Sequence, residues 1–451
     1  MNLLQETYPN QGNNEHINFS NNTVKTIPLI LTMLVILVYQ INTSDPVKIV
    51  FGCLFVLLLC AMDAKSSFYL IMFIMVGNEY LNIGGTSLII IYLFLFACKS
   101  LLLRKAKTVV YVPLAICTVL LISMCLLEAI VSSTGQIINA LKCLLYLYYI
   151  SFVLEETKFS RKSLYINAFT FLALGINYAG CISVLLNGLP SLSARYAFTK
   201  EITINFQAII CALTIVNLIY FWSVLKDSHK LRSIILVAGC CFWGLLTQSR
   251  SFILTILIGI LMLFLTSRSI KNKFKVLLAI AMAALLLVLL YSFNQAAHTL
   301  LSEIIARIIS PRNDDISNGR YDLWQQTINK MYENTSYLLF GAGDYTIIDA
   351  SFNNTILAAH NMFIETWCIF GYVGSALIVF LFFFFIRTYV FGKEKIGRIP
   401  FSSFTPIVVM ISALFFSHHF IGRSMSMVFI LSILPMTHQM IHTKIEVKKI
   451  A

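Results

Sequence analysis

Apolar runs long enough to cross a lipid bilayer recur from Ile27 to Met440, separated by short polar connections. A spanning helix needs roughly 17 to 25 such residues, and the hydrocarbon interior forces every backbone amide and carbonyl to find its partner within the chain. These runs therefore predict an all-α, polytopic integral membrane protein with about 14 transmembrane helices. The least regular runs lie near Ser66–Val76 and Leu231–Leu246. Composition agrees: 58% of the residues are hydrophobic and 12% are charged, where soluble domains carry about 25% charge.

The first 26 residues are polar, and the run that follows, Ile27 to Ile41, has no small-residue cleavage pattern behind it. It is expected to stay as the first span rather than be removed as a signal. The 11 cysteines lie within apolar runs and show no CxxC spacing. They are expected to act as small hydrophobes in helix contacts, with no disulfide framework.

A formal charge of +13 would suit a nucleic-acid partner if it were gathered in one soluble domain, but it is spread along the polar connections. With a cytoplasmic N-terminus and alternating spans, the inner connections hold Lys99 to Lys107, Lys158 to Lys162, Lys226 to Arg232, Arg268 to Lys275, Arg387 to Arg398 and Lys444 to Lys449. Most of the 33 Lys and Arg then lie inside, as the positive-inside rule requires. Both termini are expected to be cytoplasmic. The chain divides into an N-terminal tail (1–26), a membrane domain (27–293) with an external loop at 187–203, a large external loop (294–361), C-terminal spans (362–440) and a tail (441–451). The membrane domain takes about 11 spans and the C-terminal part about 3.

The large loop is expected to be folded. Leu300, Leu301, Ile304, Ile305, Ile308 and Ile309 recur at helical spacing, which predicts an amphipathic helix on the outer membrane surface, ended by Pro311. Ser317 or Asn318 then caps a second helix from Arg320 to Glu333, with Trp324, Ile328 and Met331 on one face.

Charges near a membrane are costly unless paired or hydrated, so those on the outer side are candidates for function. Arg195 lies in the first external loop, Arg250 opens a span, Arg320 starts the loop helix and Arg423 lies in the last external turn. Arginine binds phosphate through a bidentate fork, and such a cluster suits an anionic headgroup, particularly a pyrophosphate. Each also has a plainer reading as an interfacial arginine, and that reading is strongest for Arg423. His360 is the candidate general base, since imidazole titrates near neutral pH; a buried histidine bonded to loop backbone is the alternative. His418 and His419 are weaker rivals as base. Glu128 and Lys142 read as a structural charge pair, and Asp314-Asp315 as solvated acids of a turn rather than a cation site. Gly341-Ala342-Gly343 lacks the context of a nucleotide loop and reads as a turn open to close backbone approach.

Taken in order, Thr247-Gln248-Ser249-Arg250, Asn318-Gly319-Arg320 with Trp324, Leu338-Leu339-Phe340-Gly341-Ala342-Gly343, and His360-Asn361 with Gly371 and Gly374 resemble the O-antigen polymerase and O-antigen ligase superfamily of bacterial membrane enzymes. The likeness runs from about Arg195 to the C-terminus. The family's frequent Pro-Asn pair is Ile204-Asn205 here, and its usual Ser-Gly-Arg is Asn-Gly-Arg.

The resemblance implies glycosyl transfer on the outer face of the bacterial cytoplasmic membrane, with inversion and without a cofactor, metal or nucleotide sugar. The donor would be a glycan on undecaprenyl pyrophosphate. His360 would be the base and Arg250, Arg320 and Arg195 the pyrophosphate clamp, with Asn361, Gly341, Gly343, Trp324 and Arg423 in support. Membrane lipid, a chain-length regulator and a flippase would be partners, and the product an O-antigen in lipopolysaccharide biosynthesis, a capsule or another exopolysaccharide. The number of spans and the lack of a longer soluble segment favour a polymerase over a ligase. A flippase, from a different class, would need charges within spans, and few lie there.

Overall fold

A computed structural model describes residues 26–41, 45–77, 81–102, 122, 135–157, 160–188, 195–199, 203–222, 227–267, 273–274, 285, 288–289, 291–309, 319–343, 348–352, 355–357, 359–391, 400–415 and 425–437. These residues are mostly helical. Helices Thr26–Gln40 and Asp45–Ala61 pack together, followed by Ala64–Ile74, a two-residue hairpin pairing Asn82 with Ser87 and Ile83 with Thr86, and Leu88–Leu102. Helices Gly135–Glu156, Arg161–Asn187, Ile204–Tyr220, Asp227–Leu246 and Arg250–Thr266 build the centre of the bundle.

Among the described residues, helices over 137–156, 161–187 and 362–388 are each long and apolar enough to cross a bilayer, and seven others are apolar but shorter. Helix Ala64–Ile74 covers one of the two least regular runs. With its final 3-10 turn it reaches Gly77, which gives about 21 Å of helix against a hydrocarbon layer of about 30 Å. From Ser67 to Gly77 every residue is buried. It is a core helix: Ser67 Oγ lies 2.7 Å from Tyr92 Oη and 2.9 Å from Tyr149 Oη, so that hydroxyl is met inside the bundle. The segment over Leu231–Leu246 is continuous helix. The nine described cysteines are free thiols.

Beyond the bundle, helix Gln295–Ile309 is the expected amphipathic helix, with Ile304 buried and Leu300 against the main core. Pro311, Ser317 and Asn318 lie outside the described residues. The next helix spans Arg320–Glu333, the limits expected from its periodicity. Two details differ. The cap is Gly319, in a left-handed conformation at φ 78°, and the buried stripe is Leu323, Thr327 and Met331 rather than Trp324, Ile328 and Met331. The stripe is set by what the helix meets. Leu323 and Met331 form a small second core with Ala342, Ile348, Ala350 and Cys368, and half-exposed Trp324 is left to a hydrogen bond described below.

Helix Thr335–Phe340 leads to the next break in regular structure. Helix Met362–Phe385 is interrupted at Gly371, whose φ of 61° no helix contains. The break strands the carbonyls of Cys368 and Ile369, and the amides of Ala342 and Gly343 take them at 2.7 and 3.2 Å. The two backbones approach so closely that a Cβ at Gly341 would stand 2.2 Å from Ile369 O, and one at Gly371 2.4 Å from Leu339 O. Gly341-Ala342-Gly343 is thus a turn of close backbone approach, as its glycines suggested, and the backbone it approaches is that of the broken helix. Helices Thr405–Leu414 and Met425–Ile433 complete the bundle.

Candidate functional site

Three helix starts carry the candidate residues. The first is the turn Thr247-Gln248-Ser249, which joins helix Asp227–Leu246 to the helix that Arg250 opens. Gln248 has φ 47°, a left-handed conformation that costs a residue other than glycine about 1–3 kcal/mol and persists only where the surroundings hold it. Arg195 holds it from outside: its Nε donates to Thr247 O at 3.2 Å and its Nη2 to Asn205 Oδ1 at 3.1 Å. Ser249 Oγ donates to the same Asn205 oxygen at 3.0 Å and lies 2.7 Å from Ser251 Oγ. Tyr196 N closes the contact on Leu246 O at 3.0 Å. Arg195 and Arg250 therefore belong to one braced corner.

The second start is Arg320. Its guanidinium is largely withdrawn from solvent, and burial, followed by the charge of Arg250, pushes its pKa below the usual arginine range. Two residues 70 positions apart in sequence thus stand within each other's field. Like charges held together and desolvated are unfavourable unless an anion joins them. An anion with two or more charges and several acceptor oxygens is what such a pair recognises.

The third start is the turn before Met362. His360 has φ 51°, and its amide donates to Glu365 Oε1 at 2.8 Å. Asn361 caps the helix, its Oδ1 accepting from Phe363 N at 3.0 Å and Ile364 N at 3.3 Å. One residue earlier, Ala359 O accepts from Trp324 Nε1 at 2.6 Å. Trp324 follows Arg320 by one helical turn and shares its side of the helix. The bond therefore brings the Arg320 helix to the turn that carries His360.

Arg195 is thus bonded to the turn that precedes Arg250, Arg320 feels the charge of Arg250, and Trp324 on the Arg320 helix is bonded to the residue before His360, which the cap Asn361 follows. Gly341 and Gly343 lie against the helix break at Gly371. Arg423, Asp314, Asp315, His418, His419 and Glu128, the expected partner of Lys142, lie outside the described residues. Glu365 escaped the sequence reading, and Gln248 and Asn205 entered it only as members of motifs, with no role of their own. An acid in the first turn of an otherwise apolar helix was a usable signal for Glu365.

The chain is thus a mostly helical protein with apolar helices suited to a membrane, with arginines at two helix starts and a histidine in the turn before a third. Residues 234–381 match the family model described as O-antigen ligase. That match supports membership of the chain in the O-antigen ligase and polymerase superfamily, which acts on lipid-linked polysaccharide. All three helix starts fall within the matched residues, with Arg195 and Asn205 before them. No curated protein and no solved structure matches the chain significantly.

Proposed function

We propose that this protein is a polysaccharide polymerase that joins undecaprenyl-pyrophosphate-linked oligosaccharide repeat units on the outer face of the bacterial cytoplasmic membrane. The observation that carries the reading is Arg320 lying in the field of Arg250, on the helix that Trp324 ties to the His360 turn. About 14 spans with both termini cytoplasmic would put these residues outside, where the lipid-linked donor is presented.

In the proposed reaction His360 takes the proton from an acceptor hydroxyl. The oxygen attacks the anomeric carbon of the donor from the face opposite the lipid pyrophosphate. The carbon–oxygen bond to pyrophosphate breaks, the leaving group departs with its electron pair, and configuration inverts. Arg250 and Arg320 hold the pyrophosphate, with Arg195 bracing the corner or joining the clamp. Pyrophosphate is already a good leaving group, so positioning and charge stabilisation are most of what the protein adds. No step needs a metal or cofactor, and activity in EDTA is the expected result; inhibition would bring Asp314 and Asp315 into the mechanism.

A second reading, the ligase that moves finished polymer to another acceptor, is favoured by the description of the matching family. Surface glycan from a deletion strain separates the two. Single repeat units attached to lipid core mean lost polymerisation, and polymer stranded on the lipid carrier means lost ligation. Lipid-linked repeats trapped on the cytoplasmic side would instead indicate a flippase. For the polymerase, His360→Ala and Arg320→Ala are expected to yield inserted, stable protein that cannot lengthen chains, and full-length polymer from both would refute the assignment.

A further inference from the structure

We propose that Glu365 is a positioning residue that fixes the peptide plane of His360, an inference that rests on the reading of His360 as the base. Glu365 is 3% exposed, in the first turn of a helix that is otherwise apolar. A carboxylate is withdrawn from water only where bonds or a helix dipole offset the cost, so its place calls for an account. Capping does not supply one, because Asn361 already accepts from the amides of Phe363 and Ile364. In a capping box the acid at the third helical position returns to the amide of the cap residue. Here the acid stands at the fourth position, and its Oε1 takes the amide of His360, the residue before the cap, at 2.8 Å.

The amide of His360 and the carbonyl of Ala359 are the two polar groups of one peptide unit. Glu365 accepts from its nitrogen at 2.8 Å and Trp324 donates to its oxygen at 2.6 Å. Held at both ends, the plane cannot rotate, and rotation of that plane is what would release His360 from φ 51°. The direction in which the imidazole leaves the backbone is thereby set from two elements distant in sequence. A general base must lie within hydrogen-bond reach of the proton it removes, so this orientation is a condition of turnover.

The test uses the full-length protein in detergent or nanodiscs, a lipid-linked repeat unit as substrate, and two readouts: kcat with KM, and the rate at which diethyl pyrocarbonate modifies His360, followed by mass spectrometry. Glu365→Gln keeps a carbonyl oxygen at the same reach and is expected to stay near native in both. Glu365→Ala and Glu365→Asp, the latter keeping the charge but shortened by one methylene, are expected to lower kcat about 100-fold with KM unchanged and to alter His360 modification. The contrast of Gln with Asp stands even if the Ala variant does not fold. Native kcat and native modification in Asp, or a Gln variant as impaired as Asp, overturns the proposal. So does a fall in kcat with His360 modification unchanged. Altered modification with native kcat upholds the positioning role and removes His360 as the base.

Discussion

Trp324 and Ala359, 35 residues apart, meet through an indole Nε1 to carbonyl hydrogen bond of 2.6 Å, and through it the helix carrying a cation meets the turn carrying the candidate base. Trp324→Phe keeps much of the ring's apolar contact and removes the donor. We expect a loss of about 1 kcal/mol in unfolding free energy and a larger effect on kcat, about 10- to 100-fold, because small displacements at a reacting centre are costly. Polymer length in cells and turnover by purified protein check this; a variant impaired only in stability would detach the bond from catalysis.

The charge pair makes a prediction about anions and pH. Burial and Arg250 depress the pKa of Arg320 below its value in the unfolded chain, so at every pH below that folded value the charged form costs the native state stability. Stability returns only as pH climbs through the guanidinium range, so across the neutral range the penalty is constant and a bound anion would relieve it. Pyrophosphate should therefore raise the unfolding temperature. Arg250→Gln should raise the anion-free unfolding temperature and abolish the shift, and an undiminished shift in that variant would separate the two arginines.

Asn205 Oδ1 accepts from both Arg195 and Ser249. Asn205→Ala leaves both donors without that acceptor, and its expected effect is a rise of about tenfold in KM for the lipid-linked donor, equivalent to about 1.4 kcal/mol. Asn205→Asp retains an acceptor oxygen and should stay closer to native. Michaelis constants measured for the two variants decide it, and equal impairment would point to packing.

Gly341→Ala and Gly371→Ala each place a methyl group against the opposing backbone. Positive φ with ψ near 180°, the conformation of both glycines, is essentially closed to other residues and costs them about 1–3 kcal/mol, and the clash adds to it, so both should lower the unfolding temperature by several degrees and reduce the yield of folded protein. Thermal unfolding in detergent measures the shift. Native stability in both would mean that the break relaxes freely.

The helical class and the limits of helix Arg320–Glu333 were legible because hydrophobic periodicity is a local property, expressed in residues three and four apart. Its buried face was misjudged by one position because Leu323, Thr327 and Met331 are chosen by a second core that includes Ala342 and Cys368. The cap was misassigned because a left-handed Gly319 gives no side-chain signal. Of the site, the residue types were visible as charges and a histidine beside turn formers. The strain at Gln248 and His360 was not, since positive φ is uncommon in any residue but glycine and no local pattern marks where it falls.

Composition and short-range spacing were enough to give the helical class, the apolar character suited to a membrane, and the placing of Arg250 and Arg320 at helix starts, because these follow from solvation and local periodicity. The packing of distant segments was needed to bring Arg320 into the field of Arg250, to set Glu365 and Trp324 on the two ends of the peptide before His360, and to close Gly341 on a broken helix. Those are encounters between groups far apart along the chain, and no local pattern encodes which surfaces will be pressed together when the helices pack.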